Sequence, residues 1–423
     1  MELTMKKTTG VDLVFRAPPS KSVTHRALIA AALARGGSHI AGPLIADDTE
    51  ITRRALQSMG AAIASEHGGD LRISGTGGGL SCPPGLVLDL GNSGTSLRLL
   101  ASVALLCHGP VVLTGSERMK ARPVGPLAEA LNTLGGRVRA LEKPGFPPLE
   151  VSGRFAGGSA VVDAAMSSQF ISSLLMAGPY AERDVEIRVP SHPASASYID
   201  ITARVMEAFG AEVRREGYSW FQVRAGAGYR GRSYAIEGDY SSASYFLALA
   251  PLCSGRVRVE NLEPRSPQGD RLFVSALQAM GCTVRYSGSS VGVECTGTPR
   301  GIELDMSAAP DTVQTLCMVA AVASSPTCIT GISHLKYKES DRLAGTARLL
   351  RSLGGDVQVE QDAILIRPAP LRGGVIDPSG DHRTAMSFAV LGLSTGNVKI
   401  LQAECVSKSF PGFWEQLEGQ GLV

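Results

Sequence analysis

Five times along the chain an apolar, helix-like stretch runs into a glycine and then a short β-branched segment. The glycines are Gly60, Gly135, Gly210, Gly281 and Gly354, separated by 75, 75, 71 and 73 residues, and a degenerate sixth copy runs from Phe413 to Gly419. A glycine that closes a stretch of period 3.6 marks a left-handed helix C-cap, so each copy predicts the end of a surface-packing helix. A second series interleaves with the first. Ser20, Asn92, Ser167, Ser241, Asp311 and Asp381, spaced 72, 75, 74, 70 and 70 residues apart, each open an Ala- and Leu-rich run that is apolar almost all round. Such openers are favoured N-caps, and helices apolar on every side are buried. The chain therefore reads as six units of 70 to 75 residues, each with two helices and three or four short strands. Its 423 residues suffice for two domains. We expect three units in each, the first three over residues 19–235.

Composition narrows the function classes. With 44% hydrophobic and 19% charged residues, the chain is too apolar to be mainly disordered. Forty-one Lys and Arg against thirty-nine Asp and Glu leave +2, so no global positive field exists to hold nucleic acid or an acidic membrane. The apolar runs at residues 99–107 and 317–323 fall short of the eighteen or so a spanning helix needs. No apolar stretch follows the lysines of the first twelve residues, so no signal peptide is expected and the reading is a cytoplasmic protein. The eight cysteines contain no CxxC pair and several sit in apolar runs, which predicts buried thiols. The seven histidines show no metal-ligand spacing, and neither a metal nor a cofactor is implied.

Polar and basic residues crowd the openers of the buried helices: Lys21, Ser22 and Arg26; Asn92, Gly94 and Arg98; Ser167, Ser168 and Gln169; Asp381, His382 and Arg383. Helix N-termini offer free backbone amides and partial positive charge, so several of them acting together would hold a multiply charged small molecule. A cap alone has no use for Lys21, Arg98 or the glycines around Asn92 and Ser93. Two further basic runs, residues 117–123 and 336–342, lie outside the openers. In the second, Lys338 and Arg342 are four apart, which predicts a shared helix face with Glu339 beside them.

Seven of these motifs, in order along nearly the whole chain, resemble the 5-enolpyruvylshikimate-3-phosphate synthase family (3-phosphoshikimate 1-carboxyvinyltransferases). They are Pro19-Ser20-Lys21-Ser22 with Arg26, residues 90–95, residues 118–123, Ser167 to Phe170, residues 338–342, Asp381-His382-Arg383, and Lys408 to Pro411. The resemblance implies an α/β fold of two similar domains, each of three βαβαββ units, with the active site in a cleft between them. It implies a carboxyl-terminal domain of residues 1–18 plus 236–423, closed by the opening strand, and a hinge at the two crossings. It also implies transfer of the enolpyruvyl group of phosphoenolpyruvate to the 5-hydroxyl of shikimate 3-phosphate, on the path to chorismate and the aromatic amino acids.

The resemblance assigns roles residue by residue. Phosphoenolpyruvate would meet Lys21, the Gly94 amide, Arg122, Gln169 and Lys408 at its phosphate, and Arg342 and Arg383 at its carboxylate, where planar forks suit bidentate recognition. Shikimate 3-phosphate would meet Ser22 and Arg26 at its carboxylate, and Ser167, Ser168 and Ser195 at its phosphate, with Lys21 and Gln169 nearby. Its ring hydroxyls would meet Asp311 and Lys338. Asp311 would accept a proton, Glu339 would donate and reclaim one, and Lys21 would compensate charge, with Asn92 and His382 as accessories. His334 stands where many members have Asn, and Leu99 where many have Pro. Gly94 is the residue found in members inhibited by glyphosate. The resemblance implies a monomer with only small-molecule partners. The sister transferase that acts on UDP-N-acetylglucosamine carries a cysteine in the loop that here runs from Arg118 to Arg122, which has none. An RNA-binding protein, the rival of another class, is opposed by the neutral charge and by aromatics of only 5%. The intact Lys21, Asp311 and Glu339 oppose an inactive anion sensor.

Overall fold

Residues 86–153 show one repeat in full. Strand Leu86–Asp89 leads into the buried helix Gly94–Ala104, strand Val111–Thr114, the surface helix Gly125–Thr133 and a hairpin of Gly136–Ala140 with Leu149–Gly153. The first two strands are parallel, which requires a crossover helix between them, and the others are antiparallel. The sheet therefore runs first, second, fourth, third, and the same order recurs within residues 158–223 and 303–367. The computed structural model describes all 423 residues.

Two sheets take their first strand from far along the chain. Ser233–Ala235 pairs in parallel with Gly37–Ala41, and Asp12–Arg16 pairs in parallel with Gly255–Glu260. In the last repeat Leu3–Met5 lies antiparallel to Val398–Ile400 where a hairpin would otherwise stand, leaving three strands. The chain divides into two compact units, Pro19–Ile236 and Met1–Pro18 with Glu237–Val423, each around its own apolar core.

The helix series follow from local chemistry. Gly60, Gly135, Gly210, Gly281 and Gly354 all adopt positive φ, between 92° and 103°, just past the ends of surface helices. At the first, the Ala61 amide reaches back to the Leu56 carbonyl at 3.0 Å, satisfying an orphan acceptor of the last turn. The sixth copy departs: Gly419 is at φ −60°, and the left-handed residue is Gly421. The buried helices are Lys21–Leu33, Gly94–Ala104, Gln169–Ala177, Tyr240–Leu247 with Leu249–Cys253, Val313–Ala321 and His382–Thr395. Leu97, Leu99, Leu100 and Val103 of the second are fully buried, each contributing about 1.5–3 kcal/mol by leaving water. Leu99 thus belongs to the core of an uninterrupted helix.

Equivalent hydroxyls of successive repeats meet where these helices pack. Ser102 and Ser173 approach to 2.7 Å in one unit; in the other, Thr315 lies 3.2 Å from Ser244 and 3.3 Å from Ser387. Buried hydroxyls need partners, and internal symmetry supplies them.

Three expectations need correction. Asp381 is a side-chain cap, accepting from the Arg383 amide at 3.0 Å, and Ser20 holds the cap position with no side-chain bond, but Ser93 rather than Asn92, Ser168 rather than Ser167, Asp239 rather than Ser241 and Thr312 rather than Asp311 hold the cap positions of the second to fifth buried helices. Where several small polar residues adjoin, backbone geometry selects among them. Secondly, Lys338 does not share a helix face with Arg342. The helix begins at Arg342, and Lys338 ends the preceding turn Ser333–Tyr337. Thirdly, the cysteines are not all thiols. Cys82 and Cys107 form a disulfide, because a parallel bridge between Leu80 and Cys107 draws the loop beside the end of the second buried helix. The other six remain free.

Candidate active site

In the unit Pro19–Ile236 the polar groups cluster at the starts of the three buried helices. Lys21, the first residue of its helix, reaches Asp48 Oδ2 at 3.0 Å, with both side chains largely buried. Asp48 arrives in the first turn of the neighbouring helix Asp47–Ser58. Arg26, one turn on from Ser22, is only 1% exposed. Its nitrogens donate to Thr202 Oγ1 at 2.7 Å, the Ser22 carbonyl at 2.9 Å, the Tyr198 carbonyl at 3.2 Å and Ser172 Oγ at 3.4 Å. All are neutral, and burial lowers the Arg26 pKa to about 10.

Gly94 opens the second helix directly against Arg122. A Cβ built at Gly94 would lie 2.6 Å from the Arg122 guanidinium, so glycine is what lets that cation, itself 4% exposed, sit at the helix end. One repeat later, Gln169 opens the third helix. Its Oε1 accepts from Arg98 at 2.8 Å and its Nε2 donates to Thr95 Oγ1 at 3.1 Å. The Ser167 hydroxyl accepts from the Gln169 amide, and the Ser168 amide donates to the Ala194 carbonyl, which brings the two serines beside the segment carrying Ser195. Ser195 has a left-handed backbone, φ 58°. Asn92 is half-buried immediately before the cap of the second helix.

In the unit with Glu237–Val423, Arg342 is the hub. Its Nε donates to Asp381 Oδ2 at 2.8 Å, one terminal nitrogen to Asp311 Oδ1 at 3.0 Å, and the other to Glu339 Oε2 at 2.8 Å. The guanidinium is 1% exposed. Burial works against its charge, but Asp381, Glu339 and Asp311 outweigh burial and hold its pKa above the ordinary value. Asp381 shows the reciprocal effect: burial opposes its charge, while Arg342 and then His382 hold its carboxyl below the usual range. Arg383 donates to Asp311 Oδ2 at 2.8 Å and to the Tyr245 hydroxyl at 3.2 Å. Asp311 is therefore clasped between two arginines, with 17% of its side chain open.

Lys338 and Glu339 are partly exposed at the end of the turn that leads to Arg342. Lys408 is mostly buried and ends the turn Ala403–Lys408, which packs on the helix His382–Thr395. His382 is fully buried. His334 is 6% exposed; burial first, and then the charge of Lys338, lower its pKa to about 3, so it is neutral at physiological pH. Sequence reasoning missed Asp48, Tyr245 and the central position of Asp381. The acidic pair at the start of the Asp47–Ser58 helix and the Asp381 cap next to Arg383 were the available signals; Tyr245, inside an apolar run, gave none.

The EPSP synthase (3-phosphoshikimate 1-carboxyvinyltransferase) family matches residues 6–417. The 3-phosphoshikimate 1-carboxyvinyltransferase of Methanoculleus marisnigri is 56% identical over 423 residues, 100% of both chains. That of Methanoregula boonei is 58% identical over 418 residues, 99% of each. A solved EPSP synthase from Acinetobacter baumannii superposes with a TM-score of 0.83 at 30% identity, covering 100% of this chain and 98% of the other.

Proposed function

The chain belongs to the EPSP synthase family, and on that premise we propose that it transfers the enolpyruvyl group of phosphoenolpyruvate to the 5-hydroxyl of shikimate 3-phosphate and releases phosphate. The observation that carries the reading is the Asp311 carboxylate held between Arg342 and Arg383. It joins a proton acceptor to two forked cations suited to a carboxylate substrate. Asp311 takes the proton of the attacking hydroxyl as its oxygen bonds to C2 of phosphoenolpyruvate, while Glu339 protonates C3. In the second half Glu339 reclaims a proton from C3, the double bond re-forms and phosphate departs with the proton that Asp311 took up, so both carboxylates return to their starting states. Lys21, the Gly94 amide, Arg122, Gln169 and Lys408 take the phosphate of phosphoenolpyruvate, with its carboxylate on Arg342 and Arg383. Ser22 and Arg26 take the carboxylate of shikimate 3-phosphate, Ser167, Ser168 and Ser195 its phosphate, and Lys338 and Asp311 its hydroxyls; Asn92 and His382 act as accessories.

Charge balance supports the division. The substrates bring several negative charges, and unpaired charge in a closed site is costly. Arg342 and Arg383 already have protein counterions, so a bound carboxylate shares them with Asp311, and proton uptake by Asp311 strengthens the hold on that carboxylate. The test is to incubate the purified protein, without added metal, with phosphoenolpyruvate and either shikimate 3-phosphate or UDP-N-acetylglucosamine. Phosphate released only with shikimate 3-phosphate is the expected result; release with neither would sink the reading.

Glyphosate fits the same phosphate and carboxylate groups, and Gly94, which lets the Arg122 guanidinium sit against the helix end, supports inhibition competitive with phosphoenolpyruvate. Unchanged rates at millimolar glyphosate would refute this. We read the protein as a cytoplasmic monomer, to be checked by light scattering; no helix is long and apolar enough to cross a membrane.

A further inference from the structure

Asp270 is a buried carboxyl group that none of these roles uses. It lies in the turn Gly269–Arg271, which packs against both the helix Tyr240–Leu247 and the turn Pro310–Thr312 that carries Asp311. It is 3% exposed, and the Ser241 hydroxyl donates to its Oδ2 at 2.6 Å. Among the charged groups acting on it are Asp311 from the adjoining turn, Arg383 from the helix His382–Thr395 and Asp239 from the cap of the Tyr240 helix. Arg383 is already committed to Asp311 and to the Tyr245 hydroxyl. A second carboxylate here would compete with Asp311 for the same guanidinium in a site from which water is largely excluded.

Resting on the transferase reading, we propose that Asp270 stands in the substrate-ready enzyme as an uncharged carboxylic acid, a positioning residue that leaves Arg383 to Asp311. Burial first, and then the Asp311 charge, push Asp270 up to about 7, with Ser241 and Arg383 pulling the other way. Its ionisation near neutrality adds negative charge beside Asp311, loosens the Arg383 clasp and opposes the phosphoenolpyruvate carboxylate. A carboxyl raised above its unfolded value near 4 favours the fold fully below that pH, and the contribution is lost as pH rises to about 7.

The experiment compares wild type with Asp270→Asn, which fixes the uncharged shape, and with Ser241→Ala, which removes the hydrogen bond that favours the charge. Melting temperature is read at pH 5 and pH 8, and KM for phosphoenolpyruvate from pH 5.5 to 8.5. Wild type should lose melting temperature relative to Asp270→Asn on going to pH 8. Its KM should rise about fivefold or more over the neutral range, the Asp270→Asn profile should be nearly flat, and Ser241→Ala should move the wild-type transition to higher pH. Superimposable profiles overturn the proposal. So does loss of turnover in an Asp270→Asn protein whose near-UV circular dichroism and melting at pH 5 match wild type. Should Asp270→Asn fail to fold, a Ser241→Ala transition that does not move overturns it equally. A melting difference in a wild type that releases no phosphate would support the uncharged Asp270 while removing the transferase reading.

Discussion

Arg26 and Arg342 are 1% and 2% exposed, one in each unit, yet their environments shift them in opposite directions. Arg26 is surrounded by hydroxyls and carbonyls, so burial dominates and its charge is disfavoured. Arg342 is surrounded by Asp381, Asp311 and Glu339, so burial is outweighed. The difference teaches that depth alone does not set the energetics of a buried cation; the charge of its partners does. An anion on Arg26 would face no competing carboxylate among its partners, whereas an anion on Arg342 would share that cation with carboxylates the protein has built in. On the proposed function, the unit with Arg342 would serve proton transfer through Asp311 and Glu339, and Arg26 would serve static binding.

The largest test of this contrast removes the carboxylate shared by Arg342 and Arg383. Asp311→Ala should lower kcat by about 10²–10⁴-fold with a much smaller change in KM, as expected for a general base; initial rates near wild type would take that role away. Next, Arg342→Met takes this cation from Asp381, Glu339 and Asp311, the last keeping Arg383, and should cost about 3–5 kcal/mol in urea unfolding at pH 7. Asp381 is depressed by this pairing, so its share is present above the unfolded carboxyl value near 4 and vanishes as pH falls through the lower folded value. The gap between variant and wild type should therefore close in acid.

The cysteines separate the units in another way. Both cysteines of Pro19–Ile236 are in the Cys82–Cys107 disulfide, while all six in the other unit are free. Cross-linking positions 25 residues apart constrains the unfolded chain by about 3 kcal/mol. Cys82→Ser should lower the melting temperature and abolish the response to reductant; a melting curve insensitive to both would break the distinction. Smallest is Arg26→Met, expected to cost about 1–2 kcal/mol, because it leaves neutral acceptors, and Thr202 and Ser172 already bond each other at 2.8 Å. A loss equal to that of Arg342→Met would end the comparison between the two arginines.

Much of the fold was legible because its signals are local. A glycine that ends an apolar stretch specifies a left-handed backbone from its own lack of a Cβ, and five of six copies behave so. Where one cap had to be chosen among Asn92, Ser93 and Gly94, propensity did not decide, and the helix began where backbone geometry required. The shared face expected of Lys338 and Arg342 failed because spacing implies a face only inside a helix, and the turn breaks between them. The disulfide was illegible because Cys82 and Cys107 are brought together by a strand-like bridge, not by any spacing of their own.

By itself the sequence determined the six-fold repeat, the division into buried and surface helices, and the residue types at their openings, since each rests on periodicity or on a single residue's conformational range. Only the tertiary structure decided which charges meet. Asp311 and Asp381 reach Arg342 from 31 and 39 residues away, and Arg383 reaches Asp311 across 72. Those distances are closed by the packing of three repeats within one unit, and the sign of each shift follows from what that packing places beside a charge once water has been removed.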